Sequence, residues 1–428
     1  MKNIVIFVNA IRPQTFDALK QHELSTGQKL IPVVLVDKNI RQSLHERNGQ
    51  LGLGSDHIVI EADFDDPYEV RSAVAPYYES IFAVTCQYEN SIHELKKLVP
   101  YFTNVPMPTE SSLDWSTEKI LMRSLLESYD PKLSPKYIKL DKITNENVDY
   151  IDTNFSYPLI VKPSGLEGSL LVTKVDNKIE LLEALQSSLN SIKDAYTVWI
   201  KRNRPLLIVE EFMQGDMYSV DTYISSRGNC VHTPLVRVIT GADAGHEGFY
   251  GYKRITPTDL TNDQILDAQT VAAKACEAVG LRSITAHIEM MHTPNGWKII
   301  ELGPRIGGYR HDLYMQSYKI NHIVNDILNR ADQPPIVPKL AIQKSVMFNI
   351  YATHEGLLHS MHGLEVIQNL ESFIGLRQIL SAGDELYFAK NNGDPVLEVF
   401  LSHSELTQLH KDIFVVENEL KIQVEIKN

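Results

Sequence analysis

The stretch AHIEMMHTPNGWKIIELGPRIGG, residues 286–308, contains two glutamates, Glu289 and Glu301, in apolar runs on either side of a Pro-Asn-Gly turn signal. A three-residue loop, 294–296, predicts a β-hairpin in which the two glutamates are direct cross-strand neighbours, because side chains alternate with period two. A loop one residue longer or shorter would place them on opposite faces as ordinary solvated charges. The pattern alone leaves both alternatives open.

If the two carboxylates face each other, they need a cation, because like charges directly opposite destabilise a strand pair and do not both stay ionised when close. Mg²⁺ takes oxygen ligands and is typically held by one or two carboxylates together with substrate phosphates. The hairpin therefore predicts a magnesium site, with Mn²⁺ as the alternative metal.

Length and composition point to a folded protein of several domains. The 428 residues exceed one ordinary core, and 43% apolar and 22% charged residues are typical of globular chains. The net charge of -13 argues against unspecific binding to nucleic acid or to an anionic membrane surface. The three cysteines lack metal-ligand spacing, the first residues look like a strand rather than a signal peptide, and no apolar run approaches the ~20 residues of a membrane span. We expect a cytoplasmic protein.

The order of predicted elements divides the chain into four parts. The first hundred residues alternate short β-rich runs with helical patterns, which predicts a parallel sheet with helices on its faces. The predicted domains are 1–112, with this sheet; 113–205, a small α/β unit; 206–333, a strand-rich unit; and 341–428, a small α+β domain after a proline-rich linker.

Several further segments resemble a phosphate-binding apparatus. In LIVKPSGLEGSLLV, residues 159–172, a strand ends at Lys162 and a loop of small residues follows, whose backbone N–H groups could approach phosphate oxygens. It is not a Walker A motif. Lys119 lies on a predicted helix over 116–129, and Glu210 and Glu211 end a strand. Singly, each is explained as well by a hairpin loop or a surface charge.

Together these motifs resemble the ATP-grasp superfamily. The match rests on the order of Lys119, VKPSGLEGS, VEEFMQGDMYSVD, HIEM and IELGPR, and it covers about 110–330. Within the superfamily the chain is similar to carboxylate-amine ligases such as L-amino-acid ligases, and to carbamoyl-phosphate-synthase-type domains. The resemblance implies a multidomain α/β and α+β protein: an ATP-grasp fold preceded by a Rossmann-like parallel-sheet domain and followed by a small C-terminal domain.

The resemblance also implies site residues. As nucleotide-binding residues it implies Lys119, Lys162, Ser164, Gly165, Gly168, Ser169, Glu210, Glu211, Phe212 and Met213, of which Glu210, Glu211 and Met213 match the segment that reads the adenine. It implies Glu289 and Glu301 as metal ligands, Lys162 and Arg305 as catalytic residues, and Arg305, Gly307 and Gly308 at the substrate.

Two further substrate residues are predicted from their positions. Arg310 follows the Gly307-Gly308 turn and could bind a substrate carboxylate. His246 lies in a polar, glycine-rich segment, 240–257, which is either part of the substrate pocket or simply a long surface loop.

Two positions depart from the pattern of the family. Many members carry a glutamate for the ribose hydroxyls where this chain has Met217, with Asp216 next to it as a substitute. Many members carry an asparagine as third metal ligand where this chain has Gly303.

The function implied is an ATP-dependent ligase that activates a carboxylate as an acyl phosphate and joins it to an amine, releasing ADP and phosphate. Small-molecule substrates, amino acids among them, are expected as partners, and a homodimer is left open. The alternatives are a bicarbonate-using carboxylase or carbamoyl-phosphate-like enzyme, and an ATP-binding module without catalysis. The sequence shows neither a biotin-attachment nor a glutaminase segment.

Overall fold

A computed structural model describes residues 2–40, 57–165, 171–199, 206–389 and 393–425, with the backbone alone for 192–199. The described strands are β1 (Ile4–Val8), β2 (Ile31–Asp37), β3 (Ile58–Ala62), β4 (Ile81–Thr85), β5 (Tyr137–Leu140), β6 (Leu159–Pro163), β7 (Thr173–Val175), β8 (Leu207–Glu211), β9 (Asp216–Ile224), β10 (Cys230–His232), β11 (Val236–Thr240), β12 (Gly251–Thr256), β13 (Ile284–Thr293), β14 (Gly296–Gly303), β15 (Lys344–Ile350), β16 (Gly356–His362), β17 (Phe373–Gln378), β18 (Glu385–Leu386), β19 (Leu397–His403) and β20 (Lys421–Glu425). The described α-helices are α1 (Gln14–Thr26), α2 (Pro67–Val74), α3 (Ile92–Leu98), α4 (Glu110–Thr117), α5 (Lys119–Tyr129), α6 (Asn145–Asn154), α7 (Lys178–Trp199), α8 (Asn262–Ala278), α9 (Arg310–Tyr318), α10 (His322–Arg330), α11 (Leu364–Gln368) and α12 (Leu406–Glu419). In this part of the chain, none of the helices is both long and apolar enough to cross a bilayer.

The first four strands form the parallel sheet that the sequence predicts. Its order is β3-β2-β1-β4, every pair is parallel, and all residues of β1 and β4 are buried. Continuous apolar strands of this kind are expected where helices cover both faces of a sheet. Side chains of α10 pack against one face, so a later part of the chain returns to this sheet.

A small antiparallel sheet, β5-β8-β6-β7, lies next in the chain and packs against α6 and α7. Lys162 lies near the end of β6, and Glu210 lies on the neighbouring strand β8. This sheet therefore brings a predicted phosphate-binding lysine and a predicted adenine-reading acid side by side.

A larger sheet carries the hairpin. Among the described residues its order is β14-β13-β9-β11-β12-β15-β19-β17, and β10 pairs with β9. The strands β15, β19 and β17 come from the last part of the chain and continue this sheet through the pairing of β12 with β15. The predicted fold class, multidomain α/β and α+β, is confirmed, whereas the domain limits stay predictions.

The predicted helix over 116–129 is divided between two helices, because the backbone of Glu118 is extended and interrupts the helical conformation. Thr109 caps α4 by accepting from the backbone N–H of Ser112, and Glu118 caps α5 by accepting from that of Ile120. The expected caps, Ser116 or Asp114, were therefore wrong. The break makes Lys119 the first residue of α5.

Candidate active site

The hairpin places the two glutamates opposite each other, as predicted, but by a different route. Thr293 pairs with Gly296, so the loop has two residues rather than three, and an uninterrupted ladder would leave Glu289 facing Ile300. A β-bulge at Ile300 shifts the register by one residue and pairs Glu289 with Glu301. Their side chains are 31% and 33% exposed, so both are reachable from solvent.

Arg123 on α5 binds the backbone beside this bulge. Its Nη1 donates to the carbonyl of Ile299 and its Nη2 to the carbonyl of Ile300, each at 2.9 Å. The side chain is fully buried. Because the carbonyls next to a bulge lack regular ladder partners, these two bonds stabilise the distortion that positions Glu301.

Lys119 is a buried ion-pair partner and not a solvated surface lysine. Its Nζ lies 3.0 Å from Oε1 of Glu301, and its backbone N–H donates to the carbonyl of Ser164 at 3.1 Å. Burial lowers the pKa of Lys119, but the charge and hydrogen bond of Glu301 outweigh it, so the pKa is raised. The predicted phosphate loop thus begins beside the hairpin; Gly165 follows Ser164, while Gly168 and Ser169 lie outside the described residues.

Glu210 lies between two buried cations. Its Oε2 is 2.7 Å from Nζ of Lys162, and its Oε1 accepts from Nε of Arg123 at 2.7 Å. Burial raises the pKa of Glu210, but the positive charges of Arg123 and Lys162 outweigh it and bring the pKa to about 2. For Lys162, burial outweighs the attraction of Glu210 and lowers the pKa. The Glu210 carboxylate therefore neutralises these two cations, and the adenine contact that the sequence implies for Glu210 stays a prediction.

The rest of the predicted nucleotide segment lies at the end of β8. Glu211, Phe212 and Met213 are partly exposed there. The ring of Phe212 lies 5.4 Å from Nζ of Lys174, which is within the range of a cation–π contact. Asp216, the predicted substitute for the ribose glutamate, forms an ion pair of 2.8 Å with Arg237 across to β11.

A buried chain of polar contacts supports Glu289. Oδ1 of Asp221 lies 2.6 Å from Nδ1 of His287, and Nε2 of His287 lies 3.5 Å from Oε1 of Glu289. The other oxygen of Asp221 lies 2.6 Å from Nε2 of His322. Burial alone would raise the pKa of Glu289, but its contacts with His287 and the charges of nearby arginines lower it to about 2. Glu289 is therefore held ionised, as a metal ligand must be.

Asp221 also holds the turn that follows β14. The backbone N–H of Gly307 donates to Oδ2 of Asp221 at 2.6 Å. A Cβ atom at this position would lie 2.6 Å from both Cγ of Arg310 and Nδ1 of His287. A side chain at 307 would therefore force Arg310 or His287 to shift.

Arg310 is buried beneath this turn. Its Nη1 donates to the carbonyl of Gly308 at 3.1 Å, and its Nη2 donates to Oγ of Ser219 at 2.6 Å. Its Nε has no hydrogen-bond partner among the described residues. Burial lowers the pKa of this guanidinium.

The remaining predicted substrate residues lie in different settings. Nε of Arg305 pairs with Oε2 of Glu89 at 2.7 Å, and its Nη1 donates to the carbonyl of Ile306 at 3.3 Å. His246 is exposed on the segment between β11 and β12, and its ring meets that of Tyr252 edge-on. Its role at the substrate stays a prediction.

The donor set fits a divalent cation that also contacts a nucleotide. Within the described ranges, no group of three or more His, Cys, Asp and Glu side chains is spaced as a metal site. Glu289 and Glu301 offer two carboxylates on one face, which is the number Mg²⁺ commonly takes when phosphate oxygens complete its shell.

The sequence reasoning did not single out Arg123, Asp221 and His287. Two local signals existed. Arg123 lies four residues after Lys119, on the same helix face, and His287 lies two residues before Glu289, on the same strand face. Asp221 carried no such signal, because its partners are distant in sequence.

Comparisons with known proteins agree with this geometry. The family described as "ATP-grasp domain" matches residues 155–312. D-alanine–D-alanine ligase of Vesicomyosocius okutanii subsp. Calyptogena okutanii is 25% identical over 230 residues, which is 50% of this chain and 69% of that protein. D-alanine–D-alanine ligase of Acetivibrio thermocellus is 27% identical over 158 residues, 35% of this chain and only 37% of that protein.

A solved structure shows the same fold over the whole chain. L-amino acid ligase from Bacillus licheniformis superposes with a TM-score of 0.75 at 19% identity, covering 99% of both chains. Residues 155–312 therefore match an ATP-grasp domain, and the overall fold of the chain is the ATP-grasp fold, as the sequence predicted. The predicted enzyme class, an ADP-forming ATP-grasp carboxylate-amine ligase, is confirmed as a class.

Proposed function

We propose that the protein activates a carboxylate with ATP and joins it to an amine. A carboxylate oxygen attacks the γ-phosphorus and ADP leaves, which gives an acyl phosphate. The amine nitrogen then attacks the acyl carbon, phosphate leaves, and the nitrogen loses a proton, so that an amide forms. The observation that carries this proposal is the pairing of Glu289 with Glu301 directly beside Lys119.

Lys119 and the two glutamates form the centre of the proposed site. Phosphoryl transfer needs mostly positioning and neutralisation of charge. The distance of 3.0 Å between Lys119 and Glu301 puts a cation next to a metal ligand, so that one phosphate group can contact both. Mg²⁺, or Mn²⁺, held on Glu289 and Glu301 supplies further neutralisation of the phosphates.

Lys162 and Arg305 extend the positive surface on either side. Lys162 is held by Glu210 and has a lowered pKa, because burial removes it from water. In the proposed reaction it binds ATP phosphate oxygens. Arg305 follows β14 and neutralises the phosphoryl group in transfer and then the acyl phosphate.

The acceptor side of the proposed site is the turn of Gly307 and Gly308, with Arg310 beneath it. Gly307 turns its N–H inward to Asp221, and Arg310 holds the carbonyl of Gly308. We propose that this turn lines the pocket of the substrate carboxylate, with Arg310 as a fixed positive charge below it.

We propose amino acids as substrates. The support is the set of relatives, named as ligases of D-alanine and of L-amino acids. We also propose that the protein acts in the cytoplasm, since Cys86, Cys230 and Cys276 are all free thiols.

The test is phosphate release from ATP and Mg²⁺ across a panel of amino-acid pairs, dipeptides, other carboxylates and bicarbonate. We expect release only with a matching carboxylate and amine, together with the amide product in a mass spectrum. Glu301→Gln is the control that keeps the shape of the site and removes a metal-binding charge. If the protein binds ATP but no member of the panel supports phosphate release, the proposal is contradicted and a non-catalytic ATP-binding module is favoured.

A further inference from the structure

The ion pair between Glu89 and Arg305 joins two distant parts of the chain. Glu89 begins a 3₁₀ turn, Glu89–Ser91, that follows β4 of the N-terminal sheet, whereas Arg305 follows β14 of the hairpin. The atoms Oε2 and Nε are 2.7 Å apart, and the two side chains are only 20% and 19% exposed. The N-terminal sheet thus delivers a carboxylate to a proposed catalytic arginine.

Gly303 provides the space for this pair. A Cβ atom on Gly303 would lie 2.8 Å from Oε2 of Glu89, and 3.4 Å from Cζ and 3.5 Å from Nη2 of Arg305. The φ angle of Gly303 is not in the left-handed region, so the need for glycine is spatial. The carboxylate of Glu89 therefore occupies the place in which a side chain at 303, such as the asparagine of many family members, would lie.

Neighbouring contacts fix the segment that carries Glu89. Arg12, in the loop after β1, donates from Nη2 to the carbonyl of Gln87 at 2.7 Å and from Nη1 to that of Gly307 at 3.1 Å. The Arg12 guanidinium also lies 5.6 Å from the ring centre of Tyr88. The Arg12 side chain thus holds the residues before Glu89 against the turn that follows Arg305. The ion pair between Glu89 and Arg305 therefore lies within a larger set of contacts between the two segments.

We propose that Glu89 is a positioning residue that orients the Arg305 guanidinium over Gly303, toward the phosphoryl group in transfer. Gly303 is then part of this arrangement, not a sign of lost activity. The N-terminal sheet completes the phosphoryl-transfer site by supplying Glu89. This inference rests on the proposed function.

The test uses Glu89→Gln and Gly303→Ala in the full chain, with Glu69→Gln as matched control. Glu69 is also an ion-paired acid of the N-terminal part, 2.5 Å from Nζ of Lys38, but it lies on α2. We expect both test variants to lower kcat by about 100-fold, because misplacing a catalytic group by about 1 Å costs that much. Affinity for ATP, KM for the substrates and the melting temperature should stay close to wild type, and the control should match wild type throughout.

A second measurement separates this inference from the proposed reaction. We would titrate MgADP with and without aluminium fluoride, a mimic of the transferred phosphoryl group, by calorimetry. We expect Glu89→Gln and Gly303→Ala to weaken the fluoride complex at least tenfold and MgADP alone less than twofold. If wild type releases no phosphate with any substrate but this selective loss appears, the inference stands and the proposed ligase reaction falls. Equal weakening of both complexes, or no weakening, would overturn the role of Glu89.

Discussion

Replacing Arg123 by lysine should disturb the β-bulge of the hairpin, because Arg123 binds the backbone on either side of it. Lysine keeps a positive charge, but its three N–H donors lie on one nitrogen and cannot reach both oxygens of Glu210 and the carbonyls of Ile299 and Ile300, as the guanidinium of Arg123 does. One of these carbonyl contacts is buried and the other part-buried. A buried acceptor left without a partner costs about 1–3 kcal/mol, so we expect Arg123→Lys to lower the free energy of unfolding by about 2–4 kcal/mol.

The same change should also affect turnover, because Ile300 directly precedes Glu301. If the bulge relaxes, Glu301 moves away from Lys119 and Glu289, and a displacement of about 1 Å lowers kcat by about 100-fold. Urea unfolding, followed by tryptophan fluorescence with Trp297 on β14 as the local probe, gives the stability. Phosphate release gives kcat.

Arg330 provides the matched control. It is also fully buried, with Nε 3.1 Å from Oδ1 of Asp326 and Nη1 donating to the carbonyl of Val84, but it lies on α10. Arg330→Lys should lower stability and leave kcat of the folded protein unchanged. If Arg123→Lys unfolds at the wild-type urea concentration and keeps wild-type kcat, the bulge does not depend on Arg123 and the reasoning is refuted.

Three further changes test separate parts of the site. Glu301→Gln should remove turnover with little change in melting temperature, because the side chain is partly exposed; wild-type rates would show that the metal assignment is wrong. The pKa of Glu210 is lowered from 4.5 to about 2, so its contribution to the free energy of unfolding is complete above pH 4.5 and is lost as the pH falls toward 2. Between these pH values, the free energy of unfolding should fall more steeply with acid in wild type than in Glu210→Gln. Parallel curves of this free energy against pH would argue against the ion pairs of Glu210. Gly307→Ala should cost about 1–3 kcal/mol through its clashes with His287 and Arg310, whereas Gly308→Ala, where a Cβ meets nothing within 4 Å, should be tolerated; equal melting temperatures for the two variants would refute the packing argument.

The sequence predicts those features that depend on local pattern. Apolar runs that alternate with helical segments predict the parallel sheet, because strands that are apolar on both faces are typical of parallel sheets covered by helices on both sides. The helix α8 begins with the capping box of Thr261 and Gln264, which is a signal local to the sequence. The order of the sequence motifs is sufficient to predict the ATP-grasp fold.

The hairpin shows where local pattern stops being sufficient. The predicted pairing of Glu289 with Glu301 is correct, yet the loop is one residue shorter than expected, and the bulge at Ile300 compensates. The partner of that bulge is Arg123, 177 positions earlier in the chain. No periodicity within the hairpin could have indicated it.

Glu210 shows the same limit for electrostatics. As an acid at a strand end it would ordinarily be solvated, and the resemblance implies an adenine contact. In the structure it is 2% exposed, because α5 brings Arg123 onto one side and β6 brings Lys162 onto the other. A charge is buried in this way only where partners from other elements meet it, which the sequence around position 210 does not reveal.

The most direct test of the account is the fate of the substrate's carboxylate oxygen. The carboxylate that supports phosphate release would be labelled with ¹⁸O on both oxygens, and the released phosphate analysed by mass spectrometry or by the isotope shift in its phosphorus NMR signal. An acyl phosphate requires that one labelled oxygen leaves with each phosphate, and this is the predicted result. Unlabelled phosphate would show that ATP is cleaved without activating the carboxylate, and it would contradict the proposed role of the Glu289–Glu301 hairpin in ligation.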